Sequence, residues 1–401
     1  MPFNSTSNYI FMKHSSNFFR RDFFKFMGVG IASLAIPGKL FSQKKAEPLP
    51  VGSTGLLNIT DFGAKADGVT DNTNAIQSAI DAAAKTGATV LIPPGTFLTS
   101  TLKLYPQVGL LGYPTWSYRS YGGSILRLNN ENAKCLIDIT GAYGTTINGL
   151  CIDGAGLGKG IHGILLDKPD FGRQEDTPLI ERCRIGNFSG DAVHLEKVWC
   201  FRIRSCMLSH CGGNGLYVMG WDGFILDNWL SGNRGMGCAS TVGSASVTLT
   251  GNRIEWNRSG GIACYNANNY NITGNNIDRS GGPAICLMKK TYAFAITGNM
   301  INRSGKPEWT SSDDKDSTHV RIENCSGIAL VGNAFRAGAD DGERGEYSPA
   351  NGIVYSNLRN SVIKDNTMHN GALKKLLLDL GNNQNVAIND NIGQLWDIKD
   401  I

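Results

Sequence analysis

The sequence predicts an all-β chain that folds as a right-handed parallel β-helix, a solenoid with a short N-terminal capping helix. Three observations lead to this fold class. An aliphatic residue placed three positions before Asn recurs down the C-terminal half of the chain at nearly constant spacing. The 401 residues include 50 glycines but only 13 prolines, a composition typical of many short strands joined by tight turns. The recurring segments also lack the 3.6-residue apolar period of an amphipathic helix.

Residues 1–45 have the layout of an export signal followed by a linker. Arg20 and Arg21 precede Asp-Phe-Phe-Lys and an apolar stretch over residues 26–36, which ends at Pro37. A charged segment before a short apolar segment is typical of a signal peptide, and this stretch is too short for a stable membrane span. The paired arginines resemble a twin-arginine export signal. That resemblance implies a bacterial protein exported to the periplasm or secreted.

Residues 56–112 are predicted to form an opening module at the N-terminal end of a single β-helix domain, 56–401. Asp71, Asn72 and Thr73 offer N-cap oxygens to a helix, which Gly87 ends. A strand over 89–92 then runs into a Pro-Pro-Gly turn. The helix has a use as a cap, since the first coil of a solenoid otherwise exposes its apolar end. Its apolar face is predicted to be Ala75, Ile76, Ala79, Ile80 and Ala83.

Residues 113–401 are predicted to be the coils. The repeated phrase ends at Cys183, Cys206, Asn228, Asn252, Asn275, Asn299, Asn333, Asn366 and Asn391, in steps of 23, 22, 24, 23, 24, 34, 33 and 25 residues. The shorter steps fit one coil of three short strands. The two long steps indicate inserted loops at 306–318 and 337–351, and a further insertion lies at 167–178. We expect each Asn to take the left-handed conformation at a bend and to bond its neighbour one coil above, a structural role.

Charge and cysteine usage exclude several classes of function. With 38 basic and 34 acidic residues and no long basic run, neither nucleic acid nor a membrane is an expected partner. The 10 cysteines are expected to be small buried residues rather than a disulfide framework, since Cys183 and Cys206 take the Asn position and Cys264 an inward one. The sequence contains no CxxC pair, so a zinc site is not expected, and no other metal ligand set is predicted.

The opening module carries a family resemblance. Residues 61–73, Asp-Phe-Gly-Ala-Lys-Ala-Asp-Gly-Val-Thr-Asp-Asn-Thr, and the later Ile-Pro-Pro-Gly at 92–95 resemble the start of the pectate-lyase-like superfamily. That superfamily includes polysaccharide lyases, polygalacturonase-type glycosidases and epimerases, so the resemblance implies a β-helix that acts on a polysaccharide or oligosaccharide. The Gly-Asn coils also resemble those of inulin fructotransferases, which implies a homotrimer.

One strand register is predicted to place a polar column on the outside of the coils. Its inward anchors are Val193, Leu216, Ala239, Ile262, Ile285, Val320 and Ile353, and the residues after them point outward. The outward columns are predicted as His194, Tyr217, Ser240, Ala263, Cys286, Arg321 and Val354, then Glu196, Met219, Val242, Tyr265, Met288, Glu323 and Ser356. From these we predict three catalytic residues, His194, Tyr217 and Arg321, and six substrate-binding residues, Glu196, Lys197, Tyr265, Lys289, Trp309 and His319.

The residue types favour a lyase that acts by β-elimination on a uronic-acid-containing glycan. His or Tyr can move the protons, and Arg can neutralise the uronate carboxylate. A glycoside hydrolase or a fructotransferase-like enzyme would use paired carboxylates, for which Asp191, Glu196, Asp222 and Asp227 are candidates. The paired-aspartate and Gly-His-Gly motifs expected of a polygalacturonase are absent. A non-catalytic glycan-binding module is the third interpretation. No cofactor is expected to be required, although acidic runs at 313–316 and 340–343 offer oxygen ligands to Ca²⁺.

Overall fold

The computed structural model describes residues 55–305, 315–339 and 348–397, and these residues form a right-handed parallel β-helix. The fold class predicted from the sequence is therefore confirmed. The predicted export signal and Trp309 lie outside the described residues. Across the described ranges, no helix has both the length and the apolar character needed to cross a membrane.

The opening module matches its prediction closely. Strand β1 (Leu56–Asn58) leads into a 3₁₀ turn (Ile59–Phe62), strand β2 (Asp67–Asp71) and the helix α1 (Thr73–Thr86). Four of the five predicted apolar positions of α1 are buried, namely Ile76, Ala79, Ile80 and Ala83. The N-cap differs in detail, because Asp71 Oδ1 accepts the Thr73 backbone N–H at 2.9 Å while Asn72 instead bonds the loop at Lys65. Gly87 ends the helix at φ 70°.

The remaining strands stack as three parallel series, one for each face of the coil. The first face comprises β5 (Leu102–Lys103), β8 (Cys135–Asp138), β11 (His162–Asp167), β14 (Val193–Trp199), the first half of β17 (Leu216–Leu226), β19 (Met236–Ser240), β22 (Gly260–Tyr265), β25 (Ile285–Met288), β28 (Thr318–Glu323), β31 (Asn351–Ser356) and β34 (Lys375–Asp379).

The second face comprises β1, β3 (Thr89–Leu91), β6 (Gly109–Leu111), β9 (Thr146–Asn148), β12 (Leu179–Glu181), β15 (Arg202–Arg204), the second half of β17, β20 (Ala245–Thr250), β23 (Asn268–Thr273), β26 (Tyr292–Thr297), β29 (Ser326–Val331), β32 (Arg359–Lys364) and β35 (Gln384–Asn389).

The third face comprises β2, β4 (Gly95–Thr99), β7 (Ser124–Leu128), β10 (Leu150–Asp153), β13 (Arg184–Gly186), β16 (Met207–Ser209), β18 (Trp229–Ser231), β21 (Arg253–Glu255), β24 (Asn276–Asp278), β27 (Met300–Asn302), β30 (Ala334–Arg336), β33 (Thr367–Met368) and β36 (Ile392–Gly393).

The predicted Asn ladder runs through the turn that follows the second face. Each buried Asn side chain donates its amide N–H to the amide oxygen of the next, at 2.8–3.0 Å from Asn228 through to Asn391. The same oxygen also accepts the backbone N–H of the Asn below it, as in the 3.0 Å contact from Asn252 to Asn275. The ladder thus satisfies buried polar groups at every coil, and its members are structural as predicted.

The left-handed residue of this turn differs from the prediction by one position. Positive φ belongs to the residue before each Asn, such as Asp227, Gly251 and Gly274, and not to the Asn itself. Gly and Asp supply that conformation at low cost, so the Asn is free to serve the ladder. Cys183 and Cys206 continue the series downward as buried thiols, and all ten cysteines are free.

One anchor of the predicted register on the first face, Ala239, is wrong. Leu216 pairs with Cys238, and Tyr217 pairs with Ala239, because the coil between them has 22 residues rather than 23. Cys238 is therefore the inward anchor, Ala239 takes the outward position next to Tyr217, and Ser240 is buried inside the coil. Thr241 follows where Val242 was expected. Ile262 likewise pairs with Cys238 and not with Ala239. The remaining anchors pair as predicted, Val193 with Leu216, and Ile262 through Ile285 and Val320 to Ile353.

Candidate functional site

The first face carries a stack of three rings on consecutive coils. His194 lies on β14 between His162 and Tyr217, with ring centroids at 4.4 and 4.3 Å. The ring of His194 is nearly parallel to that of Tyr217, at 5°. Parallel strands of equal register place outward side chains directly above one another at the strand spacing of about 4.8 Å. The predicted adjacency of His194 and Tyr217 is confirmed by their direct pairing in the sheet.

Asp191 fixes the orientation of His194. Its Oδ2 lies 2.7 Å from His194 Nδ1. Its Oδ1 accepts both the backbone N–H and the side-chain N–H of Asn214, at 2.6 and 3.0 Å. The carboxyl side chain is only 8% exposed. An ionised carboxylate is an acceptor, so Nδ1 of His194 carries the proton, and in the neutral ring the lone pair is on Nε2.

His162 is a member of this cluster that the sequence did not reveal. Its Nδ1 accepts the backbone N–H of Asp191 at 3.0 Å and lies 3.6 Å from the Asp191 carboxylate. Burial, followed by the neighbouring His194, lowers the pKa of His162. His162 is therefore a neutral ring that packs against His194 and holds the loop that carries Asp191.

His162, Asp191 and His194 also have the composition of a metal-binding group. One ligand atom from each lies within 4.8 Å of the others. In the present arrangement, however, Nδ1 of His162 accepts a backbone N–H and Nδ1 of His194 faces the carboxylate. Those bonds occupy the atoms nearest the centre of the cluster, and the arrangement suits proton transfer better than metal binding.

Cations border the cluster on the side where the strands of the first face end. Lys197 Nζ lies 3.3 Å from Glu196 and donates to the backbone oxygen of Lys168 at 3.0 Å. Lys168 in turn pairs with the buried Asp176 at 2.7 Å, which holds the inserted loop against this edge. Burial raises the pKa of Asp176, although Lys168 opposes the shift. Glu196 lies 3.9 Å from His194 Nε2, so the predicted residues Glu196 and Lys197 do adjoin His194.

Tyr217 lies beside His194 on the next coil. The Tyr217 hydroxyl bonds the Thr241 hydroxyl at 2.9 Å, which keeps the phenol at the outer face.

Asp167 lies below Glu196 in the same column and pairs with Lys134 at 2.7 Å. The hydrogen bond from Lys134 lowers the pKa of Asp167. Asp167 was not among the predicted residues.

Arg321 occupies the predicted column but lies far from His194. Five strand steps separate them, which at 4.8 Å each is about 24 Å. Its guanidinium pairs with Asp316 and with Glu323. The structure therefore does not join Arg321 to the His194–Tyr217 pair, and the predicted three-residue constellation is corrected to two.

Tyr265 and Lys289 belong to the neighbourhood of Arg321 rather than that of His194. The Lys289 ammonium lies 5.4 Å from the centre of the Tyr265 ring. Burial raises the pKa of Tyr265 to about 12. These residues lie on the same face as His194, several coils further along.

His319 does not suit the substrate-binding role predicted for it. Its side chain is 0% exposed, and its ring lies 5.9 Å from Phe335 on the third face. The equivalent position on neighbouring coils is Gly261, Ala284 or Gly352, the corner where the chain enters the first face. A residue at that corner points into the coil, which is why His319 is buried. Burial lowers its pKa to about 3.

The two exposed aspartates considered for paired-carboxylate chemistry lie where the chain bends, Asp222 between the two halves of β17 and Asp227 just after this strand. Asp222 and Asp227 both have φ of 54°. Asp222 accepts the Trp199 indole N–H at 3.0 Å. Neither belongs to the His194 cluster, so only Asp191 and Glu196 of the predicted carboxylates are found there.

Comparison with known families and structures gives consistent matches. The sequence model of the family described as rhamnogalacturonase A/epimerase, pectate lyase-like matches residues 56–306, and that of the right-handed β-helix region matches residues 243–393. The A-module of mannuronan C-5 epimerase AlgE4 from Azotobacter vinelandii has a TM-score of 0.62 at 20% identity, over 84% of this chain and 97% of that one.

Two curated relatives match short stretches. Alginate lyase 7 of Azotobacter vinelandii is 59% identical over 44 residues, 11% of this chain and 5% of that protein. Exo-poly-α-D-galacturonosidase of Dickeya chrysanthemi is 53% identical over 55 residues, 14% of this chain and 9% of that protein. The chain spans less than a tenth of the length of these two curated relatives.

Proposed function

Because the chain belongs to the rhamnogalacturonase A/epimerase, pectate-lyase-like family, we propose that it is an exported enzyme that removes the C5 proton of a uronic-acid residue in a glycan and completes a β-elimination. The observation that carries this proposal is the His194 ring, held by Asp191 so that its neutral form has its lone pair on Nε2. A general base must present a free lone pair at a fixed position, and this arrangement supplies one.

The reaction assigns one role each to His194 and to its neighbours Lys197 and Tyr217. His194 Nε2 takes the C5 proton while Lys197 neutralises the uronate carboxylate, which stabilises the carbanion that forms. Tyr217 gives its hydroxyl proton to the C4 oxygen as the C4–O bond breaks. A C4–C5 double bond forms, no oxidant is needed, and the proton on His194 returns to Tyr217 through water. At a chain end the departing group can be water instead of a sugar.

Asp191 is not free to act as a hydrolytic carboxylate. Its Oδ1 accepts two N–H groups of Asn214 and its Oδ2 faces His194. A glycoside hydrolase needs one carboxyl group that is protonated and another that is ionised, on opposite sides of the scissile bond.

A glycoside hydrolase is the second candidate, and one observation favours it. Asp167 and Glu196 are register partners on adjacent strands, with carboxyl groups on the same face. The ion pair with Lys134 keeps Asp167 ionised, however, and Glu196 pairs with Lys197. Each carboxyl group therefore has a cationic partner, which differs from the apolar surroundings of a catalytic acid, and this weighs against the hydrolase.

The relatives named for alginate, mannuronan and galacturonan chemistry share a uronate substrate, which motivates the choice of test substrates. We would incubate the protein with alginate, polygalacturonate and rhamnogalacturonan in D₂O. Elimination produces the ultraviolet absorbance of a conjugated enol-carboxylate and leaves a double bond at C4–C5. Epimerisation would share the C5 deprotonation but would place deuterium at C5 without that absorbance.

The test variant and its matched control each replace one histidine. His194→Ala is expected to abolish product formation, while His369→Ala, which changes an exposed histidine elsewhere on the helix, is expected to leave it intact. Release of reducing sugar without absorbance or deuterium at C5 would overturn the proposal and favour the hydrolase. Binding of a glycan with no change in its mass would favour a non-catalytic module.

A further inference from the structure

A strap of chain lies over the third face, away from the His194 cluster. Residues 113–123 link β6 on the second face to β7 on the third face, and cross over strands of later coils. Trp116 donates to the backbone oxygen of Arg182 at 3.2 Å. The Tyr118 ring lies 4.9 Å from that of Trp229, and its hydroxyl bonds Ser231 at 3.1 Å. The strap is therefore docked through aromatic residues onto the sheet.

Arg184 is buried beneath this strap with its charge unpaired. The residue is 4% exposed, and no carboxylate of the described residues lies within ion-pair distance of it. One guanidinium nitrogen, Nη2, donates to the Tyr118 backbone oxygen at 3.3 Å. The Nε and Nη1 atoms have no acceptor among the described residues, and the buried Ser209 hydroxyl has no partner there either.

Ser209 and Arg184 are diagonal neighbours. Gly186 pairs with Ser209 and Arg184 pairs with Met207, so the two side chains are on adjacent strands and the same face. Diagonal pairs have Cα atoms about 7–8 Å apart, within the reach of a long side chain.

The groups that contact Arg184 directly are mostly donors, and the buried carboxylate of Asp153, diagonal to it on β10, is already bonded by Arg127 and Asn187. The Tyr121 ring lies 3.7 Å from the guanidinium carbon and stabilises the cation by its quadrupole. Asn187 donates to the Tyr121 hydroxyl at 2.6 Å, which occupies a lone pair and leaves the phenolic proton to be donated. A buried cation needs both a counter-charge and hydrogen-bond acceptors, and a cation–π contact supplies neither of them.

We propose that Arg184, Ser209 and Tyr121 bind a small inorganic monoanion of halide size, which neutralises the guanidinium and clamps the strap to the third face. A halide accepts several N–H and O–H donors at once, which is the complement of this donor set. The enclosure of the site by the strap excludes a polymer chain. This site is independent of the glycan chemistry proposed for the first face.

The direct test is a crystal grown with bromide, with anomalous scattering used to locate the ion. The expected result is one peak within hydrogen-bond distance of Arg184 Nε and Ser209 Oγ. Arg184→Met should lose it, and Ser209→Ala, which leaves the charge in place, should weaken it. Arg253→Met is the matched control, because Arg253 is an arginine of the same face that pairs with Glu255. A water molecule at this position, with no bromide exchange, overturns the proposal.

The second test measures the clamp in solution. Replacing gluconate by chloride at equal ionic strength is expected to raise the Tm of the wild-type protein by about 3 °C. Chloride should also slow tryptic cleavage after the exposed Arg119, which lies in the strap. The Arg253→Met control should respond like the wild type, and Arg184→Met should not respond. A bromide peak without either effect would indicate an adventitious ion only and would overturn the clamp.

Discussion

Replacing Asp191 by Asn is the sharpest perturbation of the His194 cluster, because the structure dictates how the new amide must orient. Two N–H groups of Asn214 point at the position of Oδ1, at 2.6 and 3.0 Å. The oxygen of the introduced amide must remain there, since an NH₂ group would face two donors. Its nitrogen then takes the place of Oδ2, 2.7 Å from His194 Nδ1.

That orientation inverts the tautomer of His194. An amide N–H directed at Nδ1 requires a lone pair on Nδ1, so the ring proton moves to Nε2 and the lone pair facing the substrate is lost. Loss of the correct tautomer in a comparable carboxylate–histidine pair costs about 10⁴-fold in rate. We expect Asp191→Asn to lower kcat by about 10³- to 10⁴-fold, or about 4–5.5 kcal/mol of transition-state stabilisation. Because the shape is conserved, the free energy of unfolding should change by less than about 1 kcal/mol.

The assay has a part that needs no substrate. Two-dimensional ¹⁵N–¹H spectra of the imidazole rings distinguish the two neutral tautomers, and they should show His194 switch from Nδ1–H to Nε2–H in the variant. The rate is then measured from the ultraviolet absorbance of the unsaturated product. Asp222→Asn, at an exposed turn, is the matched control and should retain full activity. A tautomer switch with less than a tenfold loss of kcat would refute His194 as the base.

Three further predictions concern the coil itself. Asn275→Ala should lower the free energy of unfolding by about 2–4 kcal/mol, because four buried hydrogen bonds are lost. The control Asn271→Ala, at an exposed position on the preceding strand, should change it by less than about 0.5 kcal/mol. Denaturant titration measures both. His319 has a native pKa of about 3, so the native state binds fewer protons than the unfolded state and its stability falls as pH drops from about 6.5 to 3, by up to about 1.4 kcal/mol per unit. His319→Leu should remove that slope, and His369→Gln should leave it. Cys206→Asn should raise the free energy of unfolding by about 1 kcal/mol. The Cys206 thiol lies 3.6 Å from the Ile180 backbone oxygen, which an Asn amide at this position would bond. A destabilised variant would contradict this prediction.

The fold could be predicted because its turn chemistry repeats in the sequence. A buried Asn that bonds the same atoms at every coil leaves a spacing that can be counted, as from Asn228 to Asn252. The register on the first face followed from the same spacing and correctly brought Tyr217 onto His194. It failed between Leu216 and Cys238, where a coil one residue shorter shifts the outward column.

The rest of the site could not be predicted for two physical reasons. His162 precedes the aligned repeats, and the insertion at 167–178 hides the pairing of its strand with β14. His319 sits at a corner where the alternation of a strand no longer tells inside from outside. The sequence offers Asp191 only as one of four candidate carboxylates for hydrolysis, since nothing in its spacing shows that one of its oxygens faces His194.

Asp191 has two tasks, one for each of its carboxylate oxygens, and the first is to bond the next coil. At the next coil, Asn214 uses its own side-chain oxygen to accept the backbone N–H of Met236 at 2.8 Å, just as Asp191 Oδ1 accepts that of Asn214. On two consecutive coils, the side chain at this corner thus accepts a backbone N–H of the coil above. Asn suffices for that task at position 214, so the structural ladder alone does not require a carboxylate at position 191. The additional requirement comes from His194, which needs an acceptor at Nδ1. This division between the two oxygens explains why Asp191→Asn should preserve the coil while it removes the base.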